Sequence, residues 1–303
     1  MPSSHDTVDD PRNASVLVWM NGQLLPREQA VVSVLDAGFL LGDGIWESFR
    51  VHAGRPVFAD AHFDRLFEGL AAIDIDPGLG RAELHRAILD TLDANGMTDG
   101  VHVRLMITRG PKRTPFQGRS VDLGRPTVVI LAEHKEPLPE LRAGGITLVT
   151  VHVRRGAPDV QDPGWNSHSK LNCVSAAIQA EKLGADEALM LDPHGFVATC
   201  NSTNFFVVRQ GELWTSAPTY CIEGITRAMV LELARAAGIG VREGPFALRK
   251  VYSADEAFCT GTFAGLIPVG RVDGRRIGTG ARGPVTEQLQ ELYDALVERE
   301  ARA

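Results

Sequence analysis

Lysine is scarce in this 303-residue chain: it occurs at Lys112, Lys135, Lys170, Lys182 and Lys250 and nowhere else. Positive charge is also the minority sign, with 31 basic against 38 acidic residues and a formal net charge of −7. That balance excludes the basic footprint of a broad nucleic-acid binder. The four cysteines, Cys173, Cys200, Cys221 and Cys259, form no CxxC pair and no Cys/His metal spacing. A zinc site and a disulfide framework are thereby disfavoured, and no metal is expected. Free thiols in a reducing compartment are the simple reading, so a cytoplasmic location is expected. No apolar run reaches the ~18 residues of a membrane span. The first residues are polar and acidic, unlike a secretory signal, and residues 1–14 are expected to form a flexible tail.

What is present is an ordinary globular composition, 44% hydrophobic and 23% charged. The length is a prior for two domains. Phe63, Leu66, Phe67 and Leu70 recur at helical spacing, as do Leu84, Ile88 and Leu92. Val101, Val103, Leu105 and Ile107 alternate as a half-buried strand does, and residues 127–132 read as a buried strand. A polar stretch with Pro137 and Pro139 then interrupts the pattern. We expect a small domain over 15–132, a linker over 133–143 and a larger domain over 144–303. In the second part, helices are expected over 171–183, 226–237 and 286–300. Strands are expected near 146–153, 187–191, 204–208, 212–215 and 256–260. The mixture implies an α+β protein.

Four of the five lysines sit in polar or exposed-looking segments. Lys170 opens an apolar helix after Gly164-Trp165-Asn166-Ser167-His168-Ser169. There it is either a surface residue or an amine desolvated enough to act as a nucleophile. Two segments are suited to phosphate. Gly224-Ile225-Thr226 starts a helix, whose N-terminal N–H groups attract anions, although a plain threonine cap reads the same way. Thr260 to Gly265 is a small-residue turn whose backbone N–H groups an anion can approach.

In order along the chain stand Asp36-Ala37-Gly38, Gly42-Asp43-Gly44-Ile45-Trp46-Glu47, His62-Phe63-Asp64-Arg65-Leu66, Lys170-Leu171-Asn172, Asn201-Ser202-Thr203-Asn204-Phe205-Phe206, Gly224-Ile225-Thr226-Arg227 and Thr260-Gly261-Thr262. Together they resemble the class IV aminotransferases, pyridoxal phosphate enzymes of fold type IV. The resemblance spans about Val18 to Tyr293. It implies a small N-terminal α/β domain, a larger strand-rich C-terminal domain and a homodimer. The implied reaction moves an amino group between an amino acid or primary amine and a 2-keto acid.

By the same resemblance Lys170 is the catalytic Schiff-base lysine. Arg65, Ile225, Thr226, Gly261 and Thr262 would hold the cofactor phosphate, Ile222 would pack on the ring, and Phe263 and Ala264 would face substrate. Arginine's planar fork suits phosphate. Trp46 stands where a tyrosine or phenylalanine often faces substrate. Arg113 matches an arginine that binds substrate carboxylate in D-amino acid enzymes, but Pro115 replaces the histidine that accompanies it. The Gly42 to Glu47 motif is nearer the D-amino acid group, so a D-amino acid or R-amine donor is favoured. A branched-chain amino acid aminotransferase and a lyase similar to aminodeoxychorismate lyase are the alternatives. His102 and Arg104 lie on a strand that carries substrate-side residues in branched-chain enzymes. His168 is read as structural.

One position departs from the pattern. Where the family has a glutamate for the pyridine nitrogen, this chain has Thr199. A hydroxyl can donate to a bare nitrogen or accept from a protonated one. The change leaves open a slower transaminase, a proton transfer resting more on Lys170, or another pyridoxal phosphate reaction.

Overall fold

The computed structural model describes residue 5 and residues 7–302. Of the expected tail, residues 1–4 and 6 lie outside the described residues. Pro11–Ser15 forms a 3-10 turn capped by Asp10. The chain divides into two compact units.

The N-terminal unit comprises Val8–Glu136, Trp165–Lys170 and the chain's end from Glu298. Its strands are β1 (Leu17–Met20), β2 (Gln23–Pro26), β3 (Gly44–His52), β4 (Arg55–Pro56), β5 (Val101–Thr108) and β6 (Thr127–His134). Its helices are α1 (Ala37–Leu41), α2 (Ala59–Ala72) and α3 (Arg81–Ala94). Among the described residues the strands form one sheet in the order β2-β1-β6-β5-β3-β4. The core gathers Phe63, Leu66 and Leu70 of α2, Leu84, Ile88 and Leu92 of α3, and Val103, Leu105 and Ile107 of β5. Each large side chain so buried contributes roughly 1.5–3 kcal/mol. Even positions of the same strands, among them Trp46, Arg104 and Met106, are only half-buried. They face away from the core because successive side chains alternate across a sheet.

Sequence reading did not expect β3. Its inward positions are Ile45, Glu47, Phe49 and Val51, and the glutamate breaks the apolar alternation. Lys112 is a second correction: it is buried and ion-paired with Asp122, not exposed.

The C-terminal unit comprises Pro137–Gly164 and Leu171–Val297, with His5 and Thr7. Its helices are α4 (Leu141–Gly144), α5 (Pro158–Gln161), α6 (Leu171–Lys182), α7 (Ile225–Ala236), α8 (Leu248–Tyr252) and α9 (Pro284–Arg302), the last ending in the other unit's count. Its strands are β7 (Ile146–Thr150), β8 (Glu187–Leu191), β9 (Val197–Cys200), β10 (Asn204–Arg209), β11 (Glu212–Thr215), β12 (Gly240–Glu243), β13 (Glu256–Gly261), β14 (Gly265–Val272) and β15 (Arg275–Arg276). They run in the order β12-β11-β10-β13-β14-β7-β8-β9, with β15 beside β14. β9, β12 and β14 were not expected. Pro268 and Gly270 make β14 read as a turn, yet Pro268 is accommodated opposite Phe258.

The expected domain over 144–303 included Lys170, but the structure counts Trp165–Lys170 with the N-terminal unit. Ser167 bridges Ile45, the Trp46 N–H donates to the Asn166 carbonyl, and the His168 N–H donates to the Gly44 carbonyl. Glycine makes this approach possible. A Cβ on Gly44 would lie 2.7 Å from His168, and one on Gly42, which has φ +69°, would lie 2.6 Å from Ser169 Oγ.

Candidate active site

Within the N-terminal unit the predicted residues fall into two groups. The first is Trp46 and Lys170. Trp46 Nε1 donates to the Ser167 carbonyl at 3.1 Å, which fixes the plane of the indole. Lys170 Nζ lies 5.5 Å from the indole centroid and the Arg104 guanidinium 4.0 Å from it. Both distances fall within cation–π range. Burial lowers the Arg104 pKa, against a nearby Glu133 that raises it. His168 completes the cluster. Burial first, then the Arg104 and Lys170 charges, lowers its pKa to about 4, so it is neutral at pH 7. Its Nε2 is buried with no hydrogen-bond partner among the described residues.

The second group surrounds Arg65. Its Nε and Nη2 donate to the two oxygens of Glu47 at 2.7 and 2.8 Å. His62 Nδ1 lies 2.7 Å from the same carboxylate. Glu47 is fully buried. Burial alone would raise its pKa, but Arg65 and His62 outweigh that and hold it at about 2. The pair fixes the plane of the Arg65 fork, as an anion receptor requires. Arg113, by contrast, is exposed on the loop after β5.

Within the C-terminal unit the predicted residues line the ends of β9, β10 and β13 and the start of α7. No side chain caps α7, so the first-turn N–H groups of Ile225, Thr226 and Arg227 lack intrahelical acceptors. Thr226 is buried, and its Oγ1 lies 3.4 Å from Tyr293 Oη. The loop before the helix is held by Asn204, whose Nδ2 donates to the Ile222 carbonyl at 3.0 Å. A Cβ on Gly224 would lie 2.1 Å from Asn204 Oδ1, so only glycine fits there. Thr260, opposite Asn204 in the sheet, has a buried hydroxyl without a partner among the described residues. Gly261 lies in β13, and Thr262, Phe263 and Ala264 make the turn into β14. His5 stacks on Phe263, with centroids 5.9 Å apart. Thr199 is buried on β9, and its Oγ1 donates to the Thr203 carbonyl at 2.8 Å. Uncapped helix N–H groups, two buried hydroxyls and a Cβ-free approach are together the donor set a phosphate needs.

Residues 44–272 match the family model for amino-transferase class IV. The chain belongs to the class IV aminotransferases. It is 40% identical over 288 residues to branched-chain-amino-acid aminotransferase-like protein 1 of Arabidopsis thaliana, covering 95% of this chain and 52% of that protein. The chain thus spans about half the length of the first curated relatives it matches. A putative branched-chain-amino-acid aminotransferase of Methanocaldococcus jannaschii is 39% identical, covering 91% of this chain and 94% of the relative. Among solved structures, a branched-chain aminotransferase from the thermophilic archaeon Thermoproteus uzoniensis, with norvaline, superposes with a TM-score of 0.85. It is 30% identical, with 95% of this chain and 97% of that one covered. Another branched-chain amino acid aminotransferase, solved with pyridoxamine 5'-phosphate, superposes with a TM-score of 0.88. This class IV chain therefore has the α+β, type IV fold that its motifs implied.

Sequence reasoning passed over Glu47, Tyr293, Thr203 and Glu187, and set His168 aside. Glu47 was inside a quoted motif, and an acidic residue two positions from core residues on either side was the available signal. Thr203 was inside a motif too, whereas Tyr293 and Glu187 had no signal, because their partners Thr226 and Thr203 are distant in sequence. Among the described residues no three His, Cys, Asp or Glu side chains are placed to hold a metal ion. No helix among them is long and apolar enough to cross a membrane.

Proposed function

We propose that the chain is a pyridoxal 5'-phosphate-dependent transaminase that moves an amino group between an amino acid and a 2-keto acid. The observation that carries this reading is Lys170 held with Arg104 on one indole. It pairs an amine able to become covalently attached with a cation able to take a substrate carboxylate. When bound, pyridoxal phosphate supplies an electron-withdrawing ring that acidifies the substrate Cα–H. Lys170 would hold the cofactor and would carry the proton to and from that carbon. In the C-terminal unit Ile225, Thr226, Gly261 and Thr262 would hold the phosphate, and in the N-terminal unit Arg65 would offer it a cation. Ile222 and Thr199 would serve the ring, and the substrate would be served by Trp46 in the N-terminal unit and by Phe263 and Ala264 in the C-terminal unit.

The expected D-amino acid or R-amine donor rested on the Gly42 to Glu47 motif and on Arg113. Arg113 is exposed, whereas Arg104 is desolvated beside Trp46. With the branched-chain names of the relatives, this favours an apolar branched-chain amino acid as donor; the motif keeps a D-amino acid as the second reading. We further read the protein as a cytoplasmic homodimer. Val31, Val34 and Phe39 of the N-terminal unit are each at least 70% exposed, an apolar surface suited to a second copy.

The test is to load the protein with pyridoxal phosphate and follow its visible band as L-leucine, L-valine, D-alanine and an R-amine are added separately. Transfer to 2-oxoglutarate or pyruvate is then measured. Bleaching by the L-branched amino acids, reversed by 2-oxoglutarate, is expected, with Arg104→Ala raising the keto-acid KM. Bleaching by D-alanine alone would select the second reading. Pyruvate release without an added acceptor would replace transamination by lyase chemistry.

A further inference from the structure

A buried hydroxyl that donates to nothing costs free energy, because the water it lost is not replaced. Thr260 carries such a hydroxyl. The residue is 2% exposed, and its Oγ1 has no hydrogen-bond partner among the described residues. Thr199, Thr203, Thr215, Thr226 and Thr286 are the other buried threonines described in the C-terminal unit. Each of them has a polar group within reach of its hydroxyl.

The sheet fixes where this hydroxyl lies. Thr260 is directly opposite Asn204, so the two side chains leave the sheet on one face. Phe258 and Phe206 occupy the same face, stacked with centroids 4.9 Å apart. The start of α7 is fastened to it. Asn204 Nδ2 donates to the Ile222 carbonyl, and a Cβ on Gly224 would lie 2.1 Å from Asn204 Oδ1. Helix α9 lies on it too. Glu256, on this face by alternation along β13, accepts the Val285 and Thr286 N–H groups, and Gln290 donates to the carbonyl of Leu266, opposite Thr260. Tyr293 of α9 then meets Thr226 of α7 at 3.4 Å. The Thr260 hydroxyl is thus enclosed by the strand that anchors the α7 start and by the helix that reaches it.

Two independent features therefore call for the same kind of partner. The uncapped first turn of α7 presents N–H groups at the positive end of the helix dipole. The Thr260 hydroxyl presents a proton with nothing to receive it. Both suit an anion with several acceptor oxygens. We propose that Thr260 is a further phosphate-binding residue, its hydroxyl donating to the phosphate that Ile225, Thr226, Gly261 and Thr262 would hold. The inference rests on the reading of this site as the one that takes the cofactor phosphate. Phosphate binding then removes a penalty that the fold otherwise carries, and it does so without adding a charge to the site.

The experiment uses the full chain and two probes, pyridoxal phosphate and pyridoxal, which lacks the phosphate. Thr260→Val removes the hydroxyl and keeps the branched shape. In equilibrium dialysis it is expected to weaken pyridoxal phosphate binding about tenfold or more and to leave pyridoxal binding unchanged. Thr260→Ser should restore the affinity. Without cofactor the effect has the other sign: the thermal midpoint of Thr260→Val should equal or exceed that of the wild type, because an unpartnered hydroxyl is gone. A structural hydrogen bond would instead lower it. If Thr260→Val does not fold, Thr260→Ala takes its place in the affinity comparison. Unchanged pyridoxal phosphate affinity overturns the proposal, as does an equal loss for both probes or a lower midpoint for cofactor-free Thr260→Val. Thr226→Val separates the two levels. If neither it nor Thr260→Val changes the ratio of the two affinities, the phosphate is not held at the α7 start and the parent placement falls. If Thr226→Val changes the ratio and Thr260→Val does not, only the Thr260 inference falls.

Discussion

The two units differ in how they hold most of their buried and half-buried carboxylates. In the N-terminal unit three of them meet cations: Glu47 meets Arg65 and His62, Asp43 meets Arg109, and Asp122 meets Lys112. Asp36, buried and held by the Gly38 N–H and the Thr127 hydroxyl, is the exception there. In the C-terminal unit buried carboxylates are held mainly by neutral donors. Asp192 accepts the His194 and Phe196 N–H groups, Glu256 accepts the Val285 and Thr286 N–H groups and the Thr286 hydroxyl, and Glu187 accepts from Thr203. Glu243, a third exposed and paired with Arg227 and Arg235, is an exception. A carboxylate matched to a cation fixes geometry and leaves little net field. One matched to neutral donors pins backbone and hydroxyl groups instead. The first arrangement suits the placing of Arg65; the second suits the fixing of loops and helix starts.

The comparison can be broken at four points. The largest effect is expected at Lys170, which the reading makes the attachment point. Lys170→Ala should lose the visible band after dialysis with pyridoxal phosphate, and turnover should fall by about 10²–10⁴-fold or more. Glu47 comes next. Glu47→Gln leaves Arg65 without its buried counter-charge and should cost about 3–5 kcal/mol in denaturant unfolding. The same residue sets an acid limit. Its folded pKa of about 2 is below the ordinary 4.5. The stability it contributes is therefore complete above about pH 5 and lost as pH falls toward 2. That loss amounts to about 3 kcal/mol, and its absence in Glu47→Gln is the check.

A smaller effect is expected in the C-terminal unit. Gly224→Ala forces a Cβ onto Asn204 Oδ1 and should displace the loop at a cost of about 1–3 kcal/mol. Cofactor affinity by equilibrium dialysis should weaken about tenfold or more, with the N-terminal unit's acid response unchanged. Smallest is Trp46→Leu. It removes a cation–π contact worth roughly 0.5–2 kcal/mol, and the keto-acid KM should rise accordingly, by no more than about 30-fold.

The legible parts were those with local causes. The apolar faces of α2 and α3 and the alternation in β5 follow directly from residue spacing, and the structure buries those positions. Lys170 stood out because so few lysines compete with it. The illegible parts depended on distant partners. Glu47 looked like a break in a strand until Arg65 and His62 were placed around it. Lys112 looked exposed until Asp122 closed over it. In α6 the apolar stripe of Leu171, Val174 and Ile178 reads as core, yet these are exposed and Ala176 and Ala180 are buried. Periodicity shows that a helix has an apolar face, but not what covers that face.

By itself the sequence determined the family and the order of its motifs, because those are strings of neighbouring residues with fixed chemistry. It also determined that a threonine, not a glutamate, stands at position 199. Only the tertiary structure decided what that threonine can do. Its proton goes to the carbonyl of Thr203, whose own hydroxyl leads to Glu187. A hydroxyl is donor and acceptor until its surroundings choose, and that choice was made by a turn and a neighbouring strand.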